Sequence, residues 1–179
     1  MVTQRALDYL YPNAPRDSWR LEEVGGAVQI AYWSEALGAR PTPETIAAAE
    51  LPAAKTPLLA KIDADVDAVY ATVIGQRAVE YQEAEEDAQA FKTAGYTGTV
   101  PPSVASWVAA SGLSAQAAAD NILATAAAWR GAAQSLRAAR LGHKAQAGAA
   151  ASLAALEAVE ASWRGTLNAI RAALGLPEV

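Results

Sequence analysis

The chain has 179 residues, a formal net charge of −5 and no cysteine. This length suits one ordinary domain or two small units, and a hydrophobic content of 53% excludes a chain that is disordered by composition. The acidic balance argues against a nucleic-acid-binding protein, which needs a basic face for phosphates. The lack of cysteine excludes disulfides, thiolate metal sites and cysteine nucleophiles.

A short helical turn over residues 3–11 is predicted first, and a β-hairpin follows it. Gly25-Gly26 separates two strand-like runs at residues 19–24 and 27–33, and this dipeptide favours a tight hairpin turn. Closing the turn there predicts that Trp19 faces Tyr32 on an apolar side of the hairpin. Because an isolated hairpin is marginal in water, we expect this side to bind another surface. The predicted partner-binding anchors are Trp19, Leu21, Ile30 and Tyr32.

The middle of the chain predicts two helices. Thr42-Pro43 begins a helix that is expected to end before Pro52, and Thr56-Pro57 begins a longer helix to about residue 93, with Gly95 as its stop. Apolar residues in the longer helix recur at alternating spacings of three and four, as in a coiled-coil seam. The seam spans about two heptads, so a bundle helix and an oligomeric stalk both fit it. Its residues are Leu59, Ile62, Val66, Val69 and Val73.

The last part of the chain predicts three more helices after a structured linker at residues 95–102. They cover residues 103–111, 114–141 and 152–174, and the glycines of residues 142–148 are expected to interrupt the pattern. The tripeptide Trp-Arg-Gly occurs in both of the last two helices, which favours an antiparallel helical hairpin with the two tryptophans in its core. The helix-packing residues predicted here are Trp107, Trp129, Trp163 and Ile170.

Residues with catalytic or metal-binding chemistry are sparse. His143 is the one histidine, and its glycine-rich surroundings predict an exposed loop residue. Asp63, Asp65 and Asp67 do not follow a calcium-loop pattern, and the acidic run at residues 80–87 predicts a solvated face or an electrostatic dock for a basic partner. We therefore predict a non-enzyme with no catalytic residue, no cofactor and no metal.

Two stretches carry a resemblance to a known group of proteins. The first combines Tyr11-Pro12-Asn13-Ala14-Pro15, the aromatic pair Tyr32-Trp33 and the helix start Pro41-Thr42-Pro43-Glu44. The second covers residues 84–102 and continues through Trp107 to residues 120–123. Together they resemble small proteins from the tail-fibre region of bacteriophages and prophages, including tail-fibre assembly proteins. The resemblance implies a role in the tail or its assembly and supplies no catalytic residue.

The predicted fold is mainly α, with long helices in a bundle or coiled-coil stalk and a small N-terminal β-hairpin. Residues 1–52 are expected to form a hairpin docking module with a short helix, residues 53–95 a long helix, and residues 96–179 a helical hairpin or bundle. The resemblance implies a structural accessory protein of the tail tip or fibre, and the alternative is a tail-fibre assembly chaperone that is not retained in the virion.

The partners expected from this resemblance are other phage tail and fibre proteins, with a homotrimer as the oligomer under consideration. Nucleic acid and membrane are not expected as partners, because the chain lacks a basic face and a long uncharged apolar run. No signal peptide is predicted at the first residues, so the expected location is the virion tail, or the host cytoplasm during assembly.

Overall fold

The computed structural model describes residues 2–179, and helices dominate them. The predicted fold class, mainly α with a small N-terminal β-hairpin, is confirmed. The elements are, in chain order, α1 (Gln4–Leu10), β1 (Trp19–Val24), β2 (Ala27–Trp33), a short 3-10 helix (Glu35–Leu37), α2 (Pro43–Val73), α3 (Ala78–Thr93), α4 (Pro102–Ser111), α5 (Ala115–Ala149) and α6 (Leu153–Ala173).

Two compact units divide the chain. Unit 1 contains the described residues up to Asp63 together with Gly142–Trp163, and unit 2 contains Ala64–Leu141 together with Arg164–Val179. Helices α2, α5 and α6 each contribute residues to both units. The units therefore cut across the three segments that the sequence predicted.

The hairpin of unit 1 forms at the predicted turn but with a different register at its open end. Gly25 and Gly26 have φ angles of +60° and +79°, as the two central residues of a type I′ turn require. Leu21 pairs with Ile30 as predicted, but an irregularity between Arg20 and Leu21 then shifts the strands. As a result, Trp19 pairs with Trp33 and Arg20 with Tyr32. The prediction that Trp19 faces Tyr32 is wrong, because a bulge of one residue moves the following side chains to opposite faces.

The apolar face of the hairpin is covered by α1 and by the beginning of α2. Leu7 and Ile46 are fully buried and leave Ile30 only 4% exposed. The indole N–H of Trp19 donates to Gln4 Oε1 at 3.1 Å, and the hydroxyl of Thr3 donates to Glu50 Oε1 at 2.6 Å, which joins α1 to α2. The members of this cluster are Ala6, Leu7, Ile30, Ile46 and Ala49, with Val2, Leu10, Trp19, Leu21 and Trp33 packed around them.

Helix α2 continues through both of its internal prolines. A proline in a helix interior removes one backbone donor and costs about 3 kcal/mol, so the sequence predicted an end before Pro52. The helix instead runs from Pro43 to Val73 with Pro52 and Pro57 inside it. Ala53 and Leu58 beside them are buried, which is consistent with tertiary packing that offsets the lost hydrogen bonds. The predicted boundary at Pro52 is wrong.

A glycine, rather than a proline, ends α2. Gly75 has a φ angle of +56°, and the carbonyl of Tyr70 accepts from the N–H groups of both Ile74 and Gly75. The continuous helix predicted to reach residue 93 is therefore broken, and α3 begins only at Ala78. Of the predicted seam, Ile62, Val66 and Val69 are buried, whereas Leu59 and Val73 are partly exposed.

Helix α5 also runs further than predicted, through Gly142 and Gly148 to Ala149. Consequently, His143 lies in a helix and is only 8% exposed, with its ring against fully buried Trp163 at a centroid distance of 5.4 Å. The prediction of an exposed loop histidine is wrong. The start of α6 is as predicted, since the Ser152 hydroxyl accepts from the N–H of Ala155 at 3.1 Å. Within residues 2–179, none of the helices has the length and apolar composition of a membrane-crossing helix.

Candidate functional site

Helices α3 and α4 and the first half of α5 pack into a local core within unit 2. Phe91 of α3 lies against Tyr96 with the rings nearly perpendicular and their centroids 5.7 Å apart. Gly95 and Tyr96 both have positive φ angles, which turns the chain at the end of α3. The buried residues of this core are Ala88, Phe91, Val104, Ala118 and Ala119, surrounded by Tyr96, Val100, Val108, Ala115, Ile122 and Leu123.

Hydrogen bonds hold α4 at both ends. At its first turn the backbone N–H of Ser103 donates to Asp87 Oδ2 of α3 at 3.1 Å, which satisfies a donor that the helix start leaves open. At its last turn Gly112 adopts the left-handed conformation, and the Ser114 hydroxyl then caps α5 by accepting from Ala117 N–H. These contacts hold α4, the helix that carries Trp107, at its first and last turns.

An open groove of about 980 Å³ lies between α3, α4 and α5 in unit 2, and Val73 at the end of α2 also lines it. Trp107 and Tyr81 remain 43% and 42% exposed on its walls. We call it the α3–α5 groove, and its lining residues are Val73, Ile74, Ala78, Glu80, Tyr81, Gln82, Glu83, Ala84, Glu85, Pro102, Ser103, Ser106, Trp107, Ala110, Asn121, Ile122, Thr125, Ala126, Trp129 and Arg130.

The aromatic side chains of the groove are held by contacts within unit 2. The indole N–H of Trp107 donates to Asn121 Oδ1 at 3.0 Å, which joins α4 to α5. The ring of Trp129 meets that of Tyr70 edge-on, with centroids 5.2 Å apart. Both tryptophans therefore keep fixed positions while part of each indole faces the groove.

The carboxylates of α3 differ in whether the chain supplies a partner. Glu85 forms an ion pair with Arg130, and Glu86 accepts from the side-chain amide of Gln82. Glu80 and Glu83 are exposed at the groove and have no ion-pair or hydrogen-bond partner for their side chains within residues 2–179. The groove thus combines aromatic walls with two uncompensated negative charges.

A second polar cluster fastens the linker after α3 to α5. Asp120 Oδ1 accepts from the Tyr96 hydroxyl at 2.7 Å and from Lys92 Nζ at 2.9 Å. The Tyr96 hydroxyl, followed by the Lys92 ammonium, lowers the pKa of the Asp120 carboxyl below its ordinary value. The hydrogen bond to Asp120 in turn raises the pKa of both Lys92 and Tyr96. This cluster keeps in place the part of α5 that leads into the groove.

The structure separates the residues that the sequence grouped as partner-binding anchors. Trp19, Leu21 and Ile30 belong to the covered cluster of unit 1, and only Tyr32 is largely exposed, at 49%. Of the predicted helix-packing residues, Trp163 is fully buried and Ile170 partly buried. Three others, Val73, Trp107 and Trp129, line the α3–α5 groove, where Trp107 and Trp129 also contact neighbouring helices through Asn121 and Tyr70.

Sequence reasoning missed the groove because its walls come from four separate elements. A signal was nevertheless present, since α4 and α5 each carry groove residues at helical spacing. In α5 these are Ile122, Ala126 and Trp129, which lie at i, i+4 and i+7. A stripe of this kind usually packs against another helix, and its partial exposure is visible only in the folded chain.

Comparisons with known proteins leave the family of the chain open. No protein-family model matches the sequence, and neither the curated proteins nor the solved structures contain a match. Within residues 2–179, no group of three or more histidine, cysteine, aspartate or glutamate side chains is placed to hold a metal ion.

Proposed function

We propose that this chain is a non-enzymatic protein that holds another polypeptide, and that it serves as a structural accessory protein in the tip or fibre region of a bacteriophage tail. The observation that carries the polypeptide-binding part is the α3–α5 groove, whose half-exposed tryptophan and tyrosine side chains resemble the anchors of protein interfaces. The tail location is supported by the resemblance of residues 11–44 and 84–123 to small tail proteins.

The groove replaces the hairpin as the proposed binding surface. An exposed apolar patch marks an interaction site when the rest of the chain leaves it uncovered. The apolar face of the hairpin is covered by α1 and α2, whereas Trp107 and Tyr81 remain accessible. Self-association, including the trimer considered from the sequence, remains a prediction for sedimentation measurements.

Quantitative mass spectrometry of intact phage particles from the producing strain tests the proposed location. We expect the chain at a fixed ratio to known tail components. If it is absent from particles but abundant in the lysate, the accessory role is wrong and the assembly-chaperone alternative replaces it. If it is absent from both particles and complexes with tail proteins, the whole proposal is wrong.

A further inference from the structure

The shape of the α3–α5 groove points to a helix as its occupant. In α4 the lining residues Ser103, Trp107 and Ala110 lie at i, i+4 and i+7, and α5 lines the groove with the same spacing from Ile122 to Trp129. Each stripe extends for about 10 Å, or two helical turns. Two helices that present matching ridges leave between them a channel into which the ridge of a third helix fits.

The side chains of the two stripes alternate between small and large. Ser103, Ser106 and Ala110 on α4 allow close approach of a backbone, and Trp107 and Trp129 provide large apolar contacts. A helix with leucine-sized side chains at i, i+3 or i+4 and i+7 matches this pattern, since such anchors define helix-in-groove recognition.

The charged side chains of the groove indicate which charges that helix should carry. Arg130 is the one cationic side chain among the described residues of the lining, and it already pairs with Glu85. Glu80 and Glu83 lie three residues apart and share a face of α3, so their charges add at one edge of the groove. An occupant with lysine or arginine beside its apolar face would neutralise this edge, whereas an acidic helix would be repelled.

We propose that the α3–α5 groove binds an amphipathic helix of a partner protein, with lysine or arginine flanking its apolar face. This inference rests on the proposed polypeptide-binding function and specifies the chemistry of the partner element. The basic flank contacts Glu80 and Glu83, and the apolar ridge contacts Trp107 and Trp129.

Two synthetic peptides of about 18 residues test the charge preference, a length at which alanine-based sequences begin to form helices. The basic peptide carries leucines at i, i+4, i+7 and i+11 with flanking lysines, and its acidic twin has glutamate at every lysine position. Fluorescence anisotropy measures the affinity of each peptide for the 179-residue chain. We expect the basic peptide to bind about tenfold more tightly. Equal binding, tighter binding of the acidic twin, or no binding of the basic peptide at millimolar concentration overturns the proposal.

Charge variants assign the preference to the groove. We expect the double substitution Glu80→Gln, Glu83→Gln to weaken binding of the basic peptide about three- to tenfold. The matched control is Glu157→Gln, Glu160→Gln on α6, which changes the same charge at the same spacing outside the groove lining. An equal loss in both double variants means that net charge alone attracts the peptide, and the proposal is then wrong.

A groove-filling variant tests the location. Ala110 lines the groove and is exposed. The indole of an Ala110→Trp variant should therefore fill the groove and weaken binding of the basic peptide by at least about tenfold. Ala109 is exposed on the same helix but does not line the groove, so Ala109→Trp should leave binding unchanged. If wild-type chains self-associate and Ala110→Trp, but not Ala109→Trp, makes them monomeric, the occupant is a second copy of this chain. The proposal of a partner protein's helix is then wrong.

The two proposals fail in different ways. If a tail protein co-purifies equally with Ala110→Trp and with the wild type, the groove assignment is wrong while polypeptide binding stands. If the peptide measurements agree with expectation but the chain is absent from particles and tail complexes, the groove assignment stands and the tail function is wrong.

Discussion

The apolar face of the hairpin in unit 1 and the α3–α5 groove in unit 2 use the same kinds of side chain, but only the first is covered. Ile30 on the hairpin is 4% exposed beneath α1 and α2, whereas Trp107 in the groove is 43% exposed. Burial within the chain turns apolar surface into folding free energy, and surface left open is available to a partner. The comparison shows that aromatic content alone does not identify an interface, because the covering element must also be located.

The covered face is tested most strongly at Leu7, which is fully buried in the hairpin cluster. Leu7→Ala leaves a cavity between α1, the hairpin and α2, so we expect the free energy of unfolding to fall by about 2–5 kcal/mol. Urea unfolding followed by tryptophan fluorescence measures the change. Tyr9→Ala on the same helix is the control, since Tyr9 is 47% exposed and its loss should cost less than about 0.5 kcal/mol. Equal effects of the two substitutions would mean that α1 does not cover the hairpin.

The α3–α5 groove depends on the turn at Gly75, which separates α2 from α3. Its φ angle is +56°, and an added Cβ would lie 3.3 Å from the carbonyl oxygen of Ala71. We therefore expect Gly75→Ala to destabilise the protein by about 1–2 kcal/mol and to weaken peptide binding at the groove. Gly131→Ala in α5 is the control, because this glycine is helical with open space around it. That change should instead stabilise the protein by about 0.5–1 kcal/mol. Destabilisation of similar size in both variants would mean that the left-handed turn at Gly75 does not require glycine.

The open groove should contribute less to folding than the covered face. Trp107→Phe removes the hydrogen bond to Asn121 Oδ1 but keeps an aromatic ring, and we expect a loss of about 0.5–1.5 kcal/mol. A double-mutant cycle with Asn121→Ala isolates the contribution of the bond. Additive effects of the two substitutions would mean that the indole is not held by Asn121, and that the wall of the groove is more mobile than its geometry indicates.

Local signals predicted the parts of the fold that depend on neighbouring residues. The Gly25-Gly26 turn, the end of α4 at residue 111 and the start of α6 near residue 152 were each predicted, because their conformations are determined within a few residues. The bulge beside Arg20 was not predicted. No local residue marks it, and it places Trp33 rather than Tyr32 on the covered face.

The incorrect helix boundaries have a common physical origin. Proline and glycine disfavour a helix interior, yet Pro52 lies inside α2, and Gly142 and Gly148 lie inside α5. Buried residues such as Ala53 and Ala147 are next to them. Packing between distant segments outweighed these local costs. The groove was not predicted for the same reason, since the sequence shows its stripes but not which of them a neighbouring helix covers.

The smallest expected effect concerns Asp120, which fastens the linker to α5 beside the groove and faces solvent. Its pKa is lowered from 3.8, first by the Tyr96 hydroxyl and then by Lys92, so the stability that it contributes is present above that value and is lost as the pH falls below it. The difference in unfolding free energy between wild type and Asp120→Asn should therefore stay constant near neutral pH and shrink below about pH 4. Tyr96→Phe keeps the ring against Phe91 but removes the hydroxyl, so NMR titration should show the Asp120 pKa rising towards its ordinary value. An unchanged pKa in that variant would mean that the hydroxyl does not hold Asp120, and that ring packing alone fixes the linker beside the groove.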